Sequence, residues 1–435
     1  MRLASVVLAL PLLCLELWAQ PQLSSAPPPA TTALTLAVAL QLARVNSVQF
    51  SSARADAALA KEDRVQARST LLPTVSYNNQ FLYTQGNGTP TGRFLANNAV
   101  HEYVSQGNAH EVISLAQFAD YRKSGALAAL ARARAEVASR GLVVTVFEDF
   151  YAVLGSQRKV ANAKIARDEA SRFLELSQKL ERGGEVAHSD VLKAQLQFND
   201  RRRELGDSES ELVKSRMELA VLILPNVTGE LKLADDLDER PLLPSFAEVR
   251  KAAAEKNPEL KAAMAALRAS QEEVTAARAE HLPSLSLDYF YGIDASHFAT
   301  RTDGVRNLGY AASATLNIPV FSWGSTQSKV RQSLIRKDQA RLELTTAQKQ
   351  LLANTETFYK EAQTAASQLD TLGESVEVAT ESLRLITLRY QAGESSVLEV
   401  VDAQNTLNAA RNAFVDGSRH YRIALANLQT LTGTI

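Results

Sequence analysis

The sequence has little that would break or cross-link a chain. Its 435 residues include one cysteine, Cys14, with 13 prolines and 19 glycines. A lone cysteine allows no internal disulfide, so a disulfide-stapled fold is excluded. Few prolines and glycines enforce few turns, and abundant alanine, leucine, glutamine, arginine and glutamate favour long helices. No charge sign dominates: 47 basic residues against 48 acidic ones give a formal net charge of −1. Such a chain has no basic footprint for nucleic acid. The histidines, His101, His110, His188, His281, His297 and His420, lack metal-binding spacing, and no glycine loop could cradle a phosphate. Neither an enzyme nor a metal or other cofactor site is expected.

Long apolar runs are also missing. The opening "MRLASVVLALPLLCLELWAQ" has a basic Arg2, an apolar stretch from Val6 to Leu17 and Ala19 as a cleavage position, which reads as a signal peptide over residues 1–19. Pro11 and Glu16 interrupt that stretch, and Leu13 stands before Cys14 where a lipoprotein signal carries a small residue. Residues 20–34, with "PQLSSAPPPATT", read as a disordered leader. Nothing after Ala19 is apolar over the roughly eighteen residues a membrane-spanning helix needs. The chain is therefore soluble or crosses a membrane as β-strands.

What the sequence does have is a duplication. "VQARSTLLPTVSYNNQFLY" from Val65 matches "VTAARAEHLPSLSLDYFYG" from Val274, "VFEDFY" matches "NTETFY", and Gly184 stands against Gly393, at offsets of 208 to 210. The units are 35–230 and 246–435, joined by a connector at 231–245 expected around the rod's middle. Each opens with a helix, Leu36 to Ser69 in the first and Phe246 to about Glu280 in the second, where Asn257-Pro258 predicts a kink. After Pro73 and Pro283 the periodicity becomes alternating. Val75, Tyr77, Phe81 and Tyr83 share a face, as do Leu285, Leu287, Tyr289, Tyr291 and Ile293. Two hairpins are predicted, with strands within about 74–118, the return strand lying between Gly107 and Phe118, and within about 284–321. Such hairpins can pack on a soluble core, but strands of about ten residues with aromatic ends also suit a tilted bilayer crossing.

Long helices follow, from about Asp120 to Arg182 and from Trp323 to Tyr390, each roughly 100 Å at 1.5 Å per residue. Two short helices per unit add up to a similar length, which suggests a rod. Four strands cannot close a barrel, so several chains would share one. Two chains give eight strands and a filled interior; three give twelve and a lumen.

The doubled order of helix, "LLP" or "HLP", hairpin, "NIPVFSWGS", long helix, "RYQAG" with "EVVDAQNTLNAA", and "LANLQTLTG" resembles the TolC-type outer-membrane efflux proteins from Thr35 to Gly433. The resemblance implies a mainly α fold with a small β part. Three chains would form a long periplasmic α-helical barrel continued by a shared 12-stranded β-barrel in outer-membrane lipid of a Gram-negative-type bacterium. As a homotrimer it would passively conduct substrate from an inner-membrane transporter and a periplasmic adaptor protein. Export of polypeptides in type I secretion, and a secreted structural coiled coil, are the competing readings.

The remaining constellation is the corner at Gly184 and Gly393, each followed six residues later by an acid, Asp190 or Glu399. Glycine allows the reversal. Glu399 and Asp402 share a helix face, either as carboxylate rings in a three-fold assembly or as solvated acids of a first helical turn. By resemblance, Glu399 and Asp402 constrict a periplasmic gate, and Tyr390 latches to Asp190. Ser395 replaces a basic residue found in some family members, and Lys193 stands in the first unit where Asp402 stands in the second.

Overall fold

The computed structural model describes residues 33–83, 101–226, 231–302 and 304–433. The expected signal peptide, Cys14, the leader up to residue 32 and the polar loop Thr84–Asn98 lie outside these residues. The elements are α1 Leu36–Asn46, α2 Val48–Ser69, β1 Thr74–Tyr83, β2 His101–Ile113, α3 Leu115–Arg182 and α4 His188–Ile223 in the first unit. The second has α5 Phe246–Lys256, α6 Pro258–Ala279, β3 Ser284–Ala295, β4 Arg301–Thr302, β5 Val305–Arg306, β6 Leu308–Asn317, α7 Ser325–Gln391 and α8 Val397–Thr432.

The duplication appears in the lengths. The first unit has helices of 11, 22, 68 and 36 residues. The second has 11, 22, 67 and 36. Laid end to end, the three shorter helices of a unit match its long one, so each long helix has a full-length partner along a rod of roughly 100 Å. Among the described residues no helix is long and apolar enough to cross a membrane.

The first helix is not continuous from Leu36 to Ser69, as the sequence suggested. It breaks at Ser47, whose backbone is extended and whose hydroxyl accepts from the Phe50 N–H at 3.3 Å. Ser47 stands 210 residues before Asn257, which caps α6 through Leu260 N–H at 2.9 Å. A polar N-cap, rather than the proline, is therefore what the two breaks share. The bend lets the Asn46 amide donate to the Ile223 carbonyl at 2.6 Å, meeting an orphan acceptor at the end of α4.

The connector packs against the middle of the rod. Leu34 bridges to Leu233, and Arg158 clamps Asp235 at 2.9 Å and Asp238 at 2.5 Å. The buried Arg422 guanidinium donates to Tyr151 Oη at 2.8 Å, and Tyr151 donates to Asp236 at 3.0 Å. Burial pushes the Tyr151 phenol well above its usual range, so it stays a donor. Around it Val146, Phe150, Leu154, Leu219 and Ile223 form the largest apolar cluster, uniting α1, α3, α4, α8 and the connector.

Four strands form one antiparallel sheet in the order β1-β2-β3-β6, and β4 and β5, between β3 and β6 in the chain, make a separate two-stranded pair. The return strand of the first hairpin starts at His101, six residues before Gly107, and ends at Ile113 rather than near Phe118. Helix α3 begins at once because Ser114 and Gln117 form a capping box. Pairings such as Val75 with Ala109, Ala109 with Tyr289 and Tyr289 with Ala312 align the apolar positions of all four strands on one face. Tyr77, Phe81, Tyr289, Tyr291 and Tyr310 are exposed there, and Trp323 just beyond β6 is 90% exposed. The opposite face carries Ser76, Asn78, Gln106, Ser313 and Thr315, and His110 pairs across strands with Asp288 at 2.7 Å. Among the described residues β1 and β6 each pair on one side only.

Candidate functional site

The two corners stand at the end of the rod away from the sheet, where α3 turns into α4 and α7 into α8. Gly184 has φ 77° and Gly393 φ 76°, the left-handed region that glycine enters without a Cβ penalty. In each, the residue after the glycine donates back to a helix carbonyl at 2.9 Å, Glu185 to Leu180 and Glu394 to Arg389. This back-bond satisfies an acceptor that the helix end leaves open. Arg389 also reaches the Glu394 carbonyl at 3.1 Å.

The following helices start differently. At α8, Ser396 is the N-cap of a reciprocal box: Glu399 N–H donates to Ser396 Oγ at 3.4 Å, and Ser396 N–H donates to Glu399 Oε1 at 3.3 Å. Ser395 Oγ donates to the other carboxylate oxygen at 2.8 Å. These bonds, that from Ser395 foremost, hold the Glu399 carboxyl below its usual range. The Ser-x-x-Glu spelling of this box is legible in "SVLE". At α4 the N-cap is Ala187, without a side-chain cap. His188 instead pairs with Glu181 across the turn at 2.6 Å, and Asp190 pairs with Lys193 at 3.4 Å.

Glu399 is thus the lid of its own helix start, while Asp402, one turn on, is exposed and has no ion pair or hydrogen bond among the described residues. The structure does not join Tyr390 to Asp190 within the chain. Tyr390 is buried, its ring 5.1 Å from that of Phe173, and its hydroxyl shares a hydrogen bond with Ser177 at 3.2 Å. Asp190 stays with Lys193 on the rim, although its neighbour Val191 joins Phe173, Leu174, Ala194, Tyr390, Val397 and Val400 in one cluster.

That cluster draws on α3, α4, α7 and α8, so the tip core joins both units. Polar bonds continue the seam: Gln197 to Asn405 at 2.9 Å, Asn408 to Glu204 at 2.8 Å, Arg411 to Glu169 at 3.3 Å and Lys159 to Asp416 at 2.8 Å. Ser177 and Phe173 have no signal in the sequence, since nothing local marks two residues of one long helix as partners of a tyrosine more than two hundred residues away. No group of metal-ligating side chains occurs among the described residues. What the corner offers chemically is negative charge on a stiff, apolar-cored hinge.

Residues 249–434 match the family model for outer membrane efflux proteins. The chain is similar to the alkaline protease secretion protein AprF of Pseudomonas aeruginosa, 26% identical over 93% of this chain and 85% of that protein. It is also similar to the outer membrane protein TolC of Vibrio cholerae, 22% identical over 93% and 92%. The fold matches the crystal structure of the Campylobacter jejuni CmeC outer membrane channel with a TM-score of 0.80 at 16% identity, covering 92% of this chain and 85% of that one. With its doubled helical rod, its four-strand sheet and these matches, the chain resembles the TolC-type outer-membrane efflux proteins in fold and over most of its length in sequence.

Proposed function

We propose that three copies of the chain close into one passive export duct. Four strands per chain would give a shared 12-stranded barrel, and the helices would continue it as a periplasmic conduit. The observation that carries this is the sheet itself: one face apolar and exposed, the other polar, and both edges open. An open edge in hydrocarbon leaves backbone groups unpaired, and pairing β6 of one copy with β1 of the next satisfies them. The duct would receive cargo from an inner-membrane transporter and a periplasmic adaptor. The likeness to a protein named for protease secretion favours, as a second reading, the outer-membrane component of type I protein secretion.

In this reading the tip is the gate. Asp402 supplies the free carboxylate, Glu399 a second one tethered by its serines, and three copies place both in rings. A Tyr390–Asp190 latch would then act between neighbouring chains, because within one chain each has another partner. The experiment is single-channel recording in a planar bilayer with detergent-purified protein. Glu399→Ala with Asp402→Ala is expected to raise conductance and weaken cation preference. Unchanged conductance overturns the gate but leaves the duct; a freely soluble monomer that forms no channel overturns both.

A further inference from the structure

Where rod meets sheet, Leu115 opens α3 directly after β2, and Leu282 closes the α6 end just before β3. Ile113 and Leu285, cross-strand partners on the apolar face, stand immediately above them. Between α3 and α6 runs an open groove of about 790 Å³. Its upper part is apolar, with Leu115, Phe118 and Leu282 all exposed. Its lower part carries Arg122 and Arg278.

These two arginines differ from three cations near them. Lys123 and Arg336 both pair with Glu273, and Lys329 pairs with Glu280 at 2.8 Å. Arg122 and Arg278 are exposed and make no ion pair among the described residues. Acids thus neutralise Lys123, Lys329 and Arg336, while the two arginines of the groove keep their charge uncompensated.

The spacing fits a membrane boundary. A bilayer about 40–45 Å thick with a hydrocarbon core of about 30 Å leaves roughly 6 Å of headgroup layer on each side. Arg278 lies in the last turn of α6, and the closing turn that follows brings Leu282 four residues on, about one helical turn away. Arg122 is seven residues beyond Leu115, about 10 Å, and its long side chain can reach back toward the headgroups.

We infer that this groove holds an anionic phospholipid of the periplasmic leaflet, its acyl chain along Leu115, Phe118 and Leu282 and its phosphate between Arg122 and Arg278. Charge complementarity and continuity with the sheet's apolar face select that occupant, since acyl chain and phosphate match the groove's two halves in order. The inference rests on the reading of the sheet as membrane-spanning.

The test is native mass spectrometry of the full-length protein, purified in detergent, delipidated and titrated with phosphatidylglycerol or phosphatidylcholine. The parent is expected to retain phosphatidylglycerol preferentially. Arg122→Gln with Arg278→Gln is expected to lose about thirtyfold in that retention, the effect of two interfacial cations. Arg122→Lys with Arg278→Lys keeps the charge and is expected to keep most of it, which separates lost binding from lost folding. Lys123→Gln, next to Arg122 but already paired, is expected to behave as the parent. Equal retention of the two lipids by the parent, or full retention by the double glutamine variant, overturns the site. A chain that is soluble without detergent overturns instead the membrane reading on which the site depends.

Discussion

The two corners share a backbone and differ in their polar chemistry. Both turn on a glycine with φ near 77°, and both return a bond from the next residue to the helix they leave. Yet α8 starts on a serine–glutamate box, and α4 starts on an uncapped alanine braced by a His188–Glu181 pair. The contrast teaches that the reversal is set by backbone geometry, which the two corners share, whereas the chemistry of the helix start can differ without changing the turn. The buried residues between the corners belong to neither unit alone. A ring from α7 fills space made by α3, α4 and α8.

The largest effect is expected from breaking that shared core. Tyr390→Ala removes a buried ring and should cost about 3–5 kcal/mol, read as a lower melting temperature and as faster amide exchange at both corners together. Exchange confined to the second corner would break the view that the corners form one unit. Tyr390→Phe loses only the bond to Ser177 and should cost about 1 kcal/mol.

Next come the glycines. Gly184→Ala and Gly393→Ala each force a Cβ into the left-handed region, at about 1–2 kcal/mol, and the two should match because the requirement is the same. Unequal costs would show that something beyond the backbone holds one turn. The smallest effect should separate the corners. Ser396→Ala should cost about 1 kcal/mol at the start of α8, whereas Ala187→Ser should gain a comparable amount at the start of α4.

Acid should erase part of this difference. The folded carboxyl of Glu399 sits below its ordinary value, so its contribution is present above that value and fades as pH falls through the folded one. Amide exchange at the start of α8, followed from neutral pH to below pH 4, should quicken relative to the start of α4. A constant ratio would remove the carboxylate from the cap.

Much of the fold could be read directly because it is local. Helix lengths, the Asn257-Pro258 break and the alternating strands depend on residues within a few positions of one another. The misreadings at Ser47 and at Ser114 were also local: both are serine N-caps, hidden where no proline or glycine draws attention. The candidate gate was half legible. Position along the chain marks Gly393, Glu399 and Asp402, whereas the tie that holds Glu399 is spelled only by the short Ser-x-x-Glu pattern.

The sequence by itself determined the duplicated unit, the rod's length, the two glycine reversals and the two-faced strands, because periodicity and φ preference act between near neighbours. Tertiary structure alone decided that β2 and β3 join the hairpins into one open-edged sheet, that the connector is pinned by Arg158 and Arg422, and that Tyr390 turns to Ser177 rather than to Asp190. Those choices pair residues 77 to 213 positions apart. They follow from which buried polar group must be satisfied where helices from both units meet, a condition that exists only once the chain has packed.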